Sequence, residues 1–587
     1  MLSDAFKAEI DYLVQLCEEL GMQEPALAPV LGRGADPAVS RLVEGLAFAF
    51  GRLRQRLDDD LPEVIHPVLD NLCPEILRPL PSATVMELAA SPKMMSRHVV
   101  KAGSTFAARP VDGVSCLFRS IADCEVAPWR ITAVDVAGPD RSALRLRLEL
   151  FDGPELRASH PKTLRLFFAL PLAAALALRS FLLRATSAVV ARSPNGTRVE
   201  LPAPTAASFH AFSASEAAPL LGGATAFLDL RDYFAFPQRF AFIEIPEMDR
   251  LAGLGTDTRS LEIELSLREA LPRGLPLDLA SIALHAVPAV NVFRPPAALN
   301  AALSGARRRC RLQFGDDLEG AEVYAVERVS LVSRGLHSTP AAPWARFFPA
   351  RASRDASEGA GFDGQPRIRY EIHRSPSVIG ADLDVSLTFD APGEPEWVFD
   401  DMLAAEVQVL ATNGTRAARV GLGDVCLSTS TSPSLVTFRN LTPVTRAIPP
   451  VLEGDRAWRF FRFLKSSLPT ITEPTSLASL LALANLPAVA EWPDAKPGPT
   501  TFVPLVGVER RRVKGTAREE LNLGASVRVI VDGRRFNGSA DVHLFGEVLA
   551  PLIASTIRAH EWIELTVADT TGATFTYPRA HGTRRGL

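Results

Sequence analysis

Residues 35–82 read ADPAVSRLVEGLAFAFGRLRQRLDDDLPEVIHPVLDNLCPEILRPLPS, and their spacing predicts two consecutive helices. The first begins at Asp36, a capping residue, with Pro37 at the first helical position. Its apolar residues fall within about 80° of one helical face and are Val39, Leu42, Leu46, Phe50, Leu53 and Leu57. So narrow a stripe is typical of a coiled-coil seam, so we expect a helical bundle that another chain helps to complete.

The three adjacent aspartates Asp58, Asp59 and Asp60 raise the question of a metal or catalytic site. Successive side chains of a helix point about 100° apart, so three adjacent carboxylates cannot converge on one ion. Asp60 with Glu63 three positions later, and Pro62 between them, instead matches a helix start. The triplet is therefore interpreted as the end of one helix and the beginning of the next.

Phe48 lies on the face opposite the apolar stripe, about 180° from Val39. Two interpretations stay open for this face. Phe48 is either one ordinary exposed apolar residue or a contact with a neighbouring subunit. Under the second interpretation, the partner-contact residues are Leu42, Leu46, Phe48, Phe50, Leu53 and Leu57.

Length and composition describe an ordinary folded protein. A chain of 587 residues should divide into roughly three to five domains. Its net charge of −4 gives no reason to expect nucleic acid as a partner. The N-terminus lacks the features of a secretory signal, and the apolar stretch Leu164–Leu178 is too short to span a membrane. Together with six scattered cysteines, this leads us to expect a cytoplasmic protein with reduced thiols.

The remaining periodicity predicts an α+β multidomain protein. Its parts are an N-terminal helical bundle segment, β-rich middle domains and a mixed α/β C-terminal domain. Strands are predicted at 144–150, 323–332, 382–388, 405–410, 526–531, 541–545 and 562–568. Helices are predicted near 172–184, 457–468, 475–484 and 547–560. The expected domains are an N-terminal helical assembly region (1–80), a β-rich domain with inserted helices (81–300), a second β-rich domain (301–448) and a mixed α+β domain (449–587).

No motif in the chain indicates an active site, a metal site or a cofactor. Asp382 and Asp384 share a strand face and are the best candidates for acid–base catalysis, as in a hydrolase. Cys116 and Cys124 lack paired ligands nearby and are interpreted as core cysteines. His543 and Glu547 are placed on either side of a strand-to-helix break. A basic run at Arg510, Arg511, Arg512 and Lys514 favours a strand edge or a protein contact over nucleic acid.

Several segments resemble the TssF family of type VI secretion baseplate subunits. Residues 35–82 resemble the family's N-terminal region through DPAVSRLVEGLAFAF, RLDDDLPE and LRPLPS, which occur in that order. Further similar segments are LRDYFAFPQRFAFIEI (230–245), HAVPAVNVFRPP (285–296), AEVYAVERV (321–329) and the C-terminal VERRRVKG region. The match departs from the family pattern at ATNGTRAARVGLGD (411–424) and at WRFFRFLKSSLPTI (458–471). It covers nearly the whole chain.

The resemblance implies a structural subunit without enzymatic activity. Family members form a baseplate wedge with TssG, TssK and a second TssF copy, at the cytoplasmic side of the inner membrane. The resemblance therefore implies a hetero-oligomer without a membrane span of its own. Two alternatives stay open: a stand-alone β-rich binding module, which would be a stable monomer, and a hydrolase that uses Asp382 and Asp384.

Overall fold

The computed structural model describes residue 41 and residues 62–583, with gaps at 139, 152–155, 210–221, 256–257, 303–308, 316–317, 319, 334–337, 344–367, 377–382, 391–401, 451, 453, 491–504 and 515–522. The α-helices of this part are α1 (Pro62–Leu72), α2 (Leu156–Ser159), α3 (Leu172–Ala185), α4 (Gly222–Ala235), α5 (Gly454–Lys465), α6 (Leu468–Ile471), α7 (Pro474–Ala484), α8 (Leu486–Val489) and α9 (Ser539–Ala554). The start of α1 at Pro62 confirms the helix start predicted there.

Strands account for most of the elements between α1 and α5. The first group is β1 (Ala83–Ala90), β2 (His98–Val100), β3 (Thr105–Ala108), β4 (Leu117–Ser120), β5 (Cys124–Val126), β6 (Trp129–Ala137), β7 (Ala143–Leu150), β8 (Leu164–Phe168), β9 (Thr186–Arg192), β10 (Arg198–Leu201), β11 (Thr205–Ala206), β12 (Phe242–Ile245), β13 (Ser260–Leu267), β14 (Ile282–Leu284) and β15 (Ala286–Val290).

The second group begins near residue 299 and runs to the C-terminal region. It is β16 (Leu299–Ala302), β17 (Arg309–Leu312), β18 (Glu322–Ser333), β19 (Ser338–Pro343), β20 (Arg369–Pro376), β21 (Leu383–Asp390), β22 (Met402–Thr412), β23 (Val425–Leu427), β24 (Val436–Asn440), β25 (Leu505–Lys514), β26 (Leu523–Val531), β27 (Trp562–Asp569), β28 (Thr574–Thr576) and β29 (Ala580–His581).

A six-stranded sheet with the order β23-β3-β4-β15-β1-β24 curls on itself. Its two end strands meet, since the side-chain Oδ1 of Asn440 on β24 accepts a 3.0 Å hydrogen bond from the backbone N of Val425 on β23. Phe106 and Phe438 contact each other in its interior, with ring centroids 4.7 Å apart. The sheet therefore encloses a core of its own, built from residues that are far apart in the sequence.

The largest core lies between a five-stranded sheet, β10-β9-β13-β7-β6, and a four-stranded sheet, β11-β12-β8-β14. β7 shows how the sequence determines this layer. Its leucines at 144, 146, 148 and 150 are buried, while the alternating side chains of Arg145, Arg147 and Glu149 lie on the outer face. The half-buried strand predicted at 144–150 is confirmed.

A seven-stranded sheet with the order β16-β22-β18-β19-β20-β21-β17 also curls so that its two end strands meet. Its end strands β16 and β17 contact each other, and its interior holds Leu331, Leu387 and Val407, which are fully buried. The strands predicted at 323–332, 382–388 and 405–410 are confirmed as β18, β21 and β22, although Asp382 itself lies outside the described residues.

The C-terminal region is a sheet of β25 to β29 with α9 packed on it. The parallel strands β26 and β27 are joined through α9, a crossover connection that parallel pairing requires. Gly538 precedes α9 with a φ of 89°, a backbone conformation that favours glycine. Within the helix, Gly546 leaves room for Tyr577, because a Cβ there would lie 2.2 Å from the tyrosine hydroxyl oxygen.

The architecture confirms the predicted fold class, α+β with several β-rich layers and a mixed C-terminal part. The strand predicted at 541–545 is wrong, because these residues belong to the helix α9. The predicted helix at 547–560 accordingly begins eight residues earlier than expected, at Ser539. The domain boundaries stay a prediction; the six-stranded sheet takes strands from both of the predicted ranges 81–300 and 301–448.

Candidate interaction site

The six candidate partner-contact residues lie outside the described residues, and so does the aspartate triplet 58–60. Within 35–61 only Arg41 is described; it is helical and exposed. The chain enters the described region at Pro62, at the start of α1. From there Ile65 and Leu69 are buried in a core shared with α4, α5, α7 and α9, so the segment before Pro62 joins the protein at this helical layer.

A largely buried ion network lies in the second half of α4 and in the turn Pro237–Phe240 that follows it. The network consists of Asp229, Arg231, Asp232 and Arg239, and we call it the central ion network. Arg239 contacts the carboxylates of Asp229 and Asp232 at 2.7 Å each. Arg231 lies 3.7 Å from Asp232, whose side chain is fully buried. Breaking one partner of such a buried pair costs about 3–5 kcal/mol, so the network makes the position of α4 strongly dependent on these residues.

The same helix connects the two ends of the described chain. Arg231 donates a 3.2 Å hydrogen bond to the backbone oxygen of Glu75, just beyond α1. Tyr233 donates a 2.7 Å hydrogen bond to Asp541 on α9, and the other oxygen of that carboxylate accepts from the backbone N of Asn537. Burial raises the pKa of Tyr233 well above its usual value, and the charge of Asp541 adds to this effect. Residues of the 230–245 segment therefore hold α1, α4 and α9 together.

A second buried polar cluster joins the segments 285–296 and 411–424. The side-chain amide of Asn291 donates to the backbone oxygen of Leu117 at 2.8 Å and to Asn413 at 2.9 Å. Its oxygen accepts from the hydroxyl of Thr412 at 2.9 Å and from the backbone N of Asn413 at 2.7 Å. One buried asparagine thus satisfies four bonds and links the six-stranded sheet to the end of β22.

His285 begins the segment 285–296 in a left-handed backbone conformation, with a φ of 53°. Its side chain is buried, and Nδ1 lies 3.1 Å from the backbone oxygen of Glu125. Burial lowers the pKa of this histidine from 6.5 to about 4. The residue is therefore a neutral, buried element of the packing at ordinary pH.

A cleft opens where the turn after α1 meets α4, α5 and α8. Its lining combines the apolar side chains of Phe227, Phe460 and Leu486 with the guanidinium groups of Arg78, Arg231 and Arg456. We call this feature the arginine cleft. Phe227 and Phe460 contact each other with ring centroids 4.8 Å apart, which fixes the apolar side of the cleft. Among the described residues that line it there is no carboxylate.

Of the two aspartates proposed for catalysis, only one lies in the described part of the chain, so their common site stays untested. Asp384 is partly exposed and forms an ion pair with Arg311, while Asp382 is not among the described residues. Burial raises the pKa of Cys116 to about 11 and that of Cys124 to about 12, as expected for core cysteines. No group of three or more histidine, cysteine or acidic side chains in the described ranges is arranged to hold a metal ion.

His543 and Glu547 correct an interpretation made from the sequence. Both lie on α9, and His543 Nδ1 is 3.6 Å from Glu547 Oε1, so the expected break between them is wrong. Glu547 also contacts Arg179 of α3 at 2.7 Å. The two side chains meet through the i, i+4 spacing of one helix, which the sequence analysis rejected. The basic residues 510–512 and 514 lie on β25, the end strand of its sheet among the described strands.

Sequence reasoning missed the central ion network and the arginine cleft. The segment LRDYFAFPQRF did contain a signal for buried, paired charges, because three charged residues and a tyrosine occur there among large apolar residues. Charged residues in such a segment are almost never fully buried unless they are paired. The partners of these residues lie on distant segments, which local patterns do not reveal.

No helix in the described residues is long and apolar enough to cross a membrane. Comparison with solved structures shows that the fold is known. The chain is similar to one in the cryo-electron microscopy structure of the type VI secretion system TssK-TssF-TssG baseplate subcomplex, with a TM-score of 0.75, 23% identity and coverage of 93% of this chain and 99% of that one. It is also similar to a chain in the baseplate complex from the type VI secretion system, with a TM-score of 0.62, 22% identity and full coverage of both chains.

Sequence comparison agrees with the structural one. The chain is 24% identical over 413 residues to the type VI secretion system component TssF1 of Pseudomonas aeruginosa, a match that covers 65% of this chain. The chain spans 64% of the length of that curated relative. A family model described as "Type VI secretion system, TssF" matches residues 1–584. The chain belongs to the TssF family of the type VI secretion system.

Proposed function

We propose that the protein is a structural subunit of a type VI secretion baseplate wedge, on which a contractile tail is assembled for effector delivery. The observation that carries this proposal is the family match over residues 1–584. The fold shared with a chain of the TssK-TssF-TssG subcomplex supports it. Its partners are then TssG, TssK and a second copy of the TssF subunit, in a hetero-oligomer at the cytoplasmic side of the inner membrane.

The proposed role is mechanical and involves no catalysis. The central ion network and the Asn291 cluster are largely buried, and their members pair with neighbouring protein groups. Buried, mutually paired polar groups specify how layers of a protein fit together. This use of charge supports a rigid scaffold whose layers must keep one arrangement when force is transmitted through the assembly.

The proposed assembly element is the N-terminal helix with Leu42, Leu46, Phe50, Leu53 and Leu57 on one face and Phe48 on the other. In this arrangement neighbouring wedge subunits complete the bundle. The segment joins the described part at Pro62, where α1 packs against α5.

The test is a pair of variants at one position, Phe48→Glu and Phe48→Leu, in the full chain co-expressed with the neighbouring gene products. Phe48→Glu should keep the circular dichroism and the melting temperature of the isolated chain but strongly reduce recovery of partner subunits. Phe48→Leu keeps the position apolar and should recover them at wild-type yield.

The mass of the purified complex distinguishes a baseplate subunit from a stand-alone binding module. A wild-type chain that purifies as a monomer in the presence of all neighbouring gene products would support the stand-alone binding module and contradict the proposal. If Phe48→Glu assembles and supports secretion like the wild type, the baseplate role stands, but Phe48 is only a surface residue.

A further inference from the structure

The seven-stranded sheet of β16 to β22 has an interior of its own and joins the rest of the protein at one end. Val329, Leu331 and Val407 lie in that interior, whereas Tyr324 and Leu410 pack in the largest core. Within the described residues, the elements that pack most closely on its strands belong to the same sheet. Strands β18 and β22 therefore carry the sheet away from the largest core.

Strand β18 is irregular where it leaves the largest core. Its pairing with β22 shifts register between Val323 and Ala325, and again between Val326 and Arg328. Each shift places one extra residue in β18, which forms a β-bulge, and a bulged strand bends and twists more than a regular one. Two bulges so close together interrupt the regular ladder of hydrogen bonds, so this segment is suited to be a hinge.

An ion pair on a different strand ties the same sheet to α1. Nη1 of Arg374 on β20 donates to both carboxylate oxygens of Asp70, at 2.8 and 2.9 Å. The Arg374 side chain is 5% exposed and that of Asp70 is 18% exposed. Arg374 shares its strand face with Tyr370, which is buried in the interior of the sheet. Burial raises the pKa of Tyr370 to about 12, and the charge of Asp70 adds to this effect. Asp70 therefore lies at the end of that interior.

The buried pair restrains the sheet more strongly than an exposed pair near the bulges. Arg294 contacts Glu327, one of the two extra residues of β18, but the arginine is mostly exposed. Exposed pairs are screened by water and salt and contribute little. A buried charge that loses its partner is left uncompensated, so the pair of Asp70 and Arg374 strongly favours one orientation of the sheet.

We propose that the pair of Asp70 and Arg374 is a latch that fixes the seven-stranded sheet against α1, and that the bulged segment of β18 is the hinge about which the sheet turns when the pair is broken. The latch lies on α1, which begins where the proposed N-terminal assembly element ends. A displacement of α1 moves Asp70, so it changes the orientation of the sheet. The inference concerns the chain itself and does not depend on the proposed function.

The experiment measures the distance between two spin labels in the full chain by pulsed electron paramagnetic resonance. The labels are attached to p-acetylphenylalanine, a chemistry that leaves the natural cysteines unchanged. One label replaces Gln313, an exposed residue directly after β17, and the other replaces Arg459, an exposed residue of α5. We expect one narrow distance distribution for this parent chain, because the latch holds the sheet in one orientation.

Removal of both charges tests the latch without leaving an unpaired buried charge. In the double variant Asp70→Asn, Arg374→Gln, the distance distribution should become at least twice as wide or move to a new maximum. Arg374→Gln alone should have the same effect, and if that variant does not fold, the double variant decides. Arg311→Gln is the matched control, because Arg311 pairs with Asp384 inside the same sheet. It should keep the distribution of the parent chain.

Three results would overturn the inference. An unchanged narrow distribution in the folded double variant would mean that other contacts hold the sheet in place. Equal broadening in Arg311→Gln would mean that the sheet responds to the loss of any arginine. A broad distribution in the parent chain would mean that the ion pair does not fix the sheet. Co-purification of the unlabelled wild-type chain with baseplate subunits tests the proposed function separately, so the two can fail independently.

Discussion

The hydroxyl of Tyr233 on α4 donates a 2.7 Å hydrogen bond to the carboxylate of Asp541 on α9, a residue 308 positions further along the chain. Both residues are buried, and the bond joins the segment 230–245 to the C-terminal sheet layer. Because α4 also contacts the backbone at Glu75 through Arg231, one helix fixes the positions of elements from both ends of the described chain.

Replacing Tyr233 by phenylalanine should therefore destabilise the protein without changing its shape. The variant leaves one oxygen of a buried carboxylate without its donor, a loss of about 1.5–3 kcal/mol for a hydrogen bond to a charged group. We expect a lower melting temperature, measured by scanning fluorimetry at a fixed heating rate. Tyr324→Phe is the matched control, because its buried hydroxyl has no hydrogen-bond partner among the described residues. Equal shifts in the two variants would contradict the assigned role of the Tyr233 bond.

Replacing Asn291 by leucine should be more damaging than its similar size suggests. The change removes the partners of the Leu117 oxygen, the Thr412 hydroxyl and the Asn413 backbone N. Each buried polar group left unsatisfied costs about 1–3 kcal/mol, so the sum is a large fraction of a typical folding free energy. The readout is limited proteolysis together with the melting temperature, and Asn300→Leu on the exposed side of β16 is the control. A wild-type protease pattern for Asn291→Leu would contradict this prediction.

His285 should make the protein less stable as the pH falls from about 6.5 to about 4. Its folded-state pKa is depressed, so in this window the unfolded chain binds a proton that the folded chain excludes. Stability therefore decreases with falling pH, by about 1.4 kcal/mol per unit at most. His285→Asn should remove this contribution while tolerating the left-handed backbone, as asparagine does. The measurement is the urea midpoint against pH for both proteins, and parallel curves would contradict the prediction.

The double variant Asp382→Asn, Asp384→Asn should leave secretion intact. Asp384 is part of a partly exposed ion pair with Arg311, and pairs of this kind contribute about 1 kcal/mol or less. The melting temperature and the recovery of partner subunits should match those of the wild type, and a secretion assay should detect normal effector release. A folded and assembled double variant that no longer supports secretion would favour the hydrolase alternative.

Local periodicity predicted those elements whose two faces differ. The alternating leucines and charges of 144–150 predict β7 because one face of that strand is buried and the other is solvated. The prediction for the region of α9 was wrong because this helix has no polar face to contrast with an apolar one. Residues such as Val542, Leu544, Phe545 and Val548 are all buried, because α9 lies among α3, α4 and β27. A helix that is apolar almost all round loses its periodic signal, and residues 541–545 near its start, DVHLF, alternate much as a strand does.

The buried polar clusters were beyond sequence reasoning for a topological reason. Asn291 and Asn413 are 122 positions apart, and only the arrangement of the sheets brings them within 2.9 Å. Similarity to the TssF family marked the segment 285–296 as characteristic and the segment 411–424 as a departure from the family pattern, but it gave no partner for either residue. An asparagine side chain can donate to or accept from many kinds of group, so its identity in the sequence does not reveal its partner. Only the three-dimensional structure does.

The closure of the six-stranded sheet has a consequence for how the protein is made. The backbone N of Ala83, at the start of β1, donates to the hydroxyl of Thr445, 362 positions later in the chain. At a synthesis rate of about 5–20 residues per second, β1 leaves the ribosome about 20–70 s before this partner exists. Strand β1 also waits for both of its sheet neighbours, β15 and β24. Until translation passes residue 445, an apolar strand in the nascent chain lacks its final neighbours, so this sheet closes late and leaves that strand open to aggregation or to chaperones in the meantime.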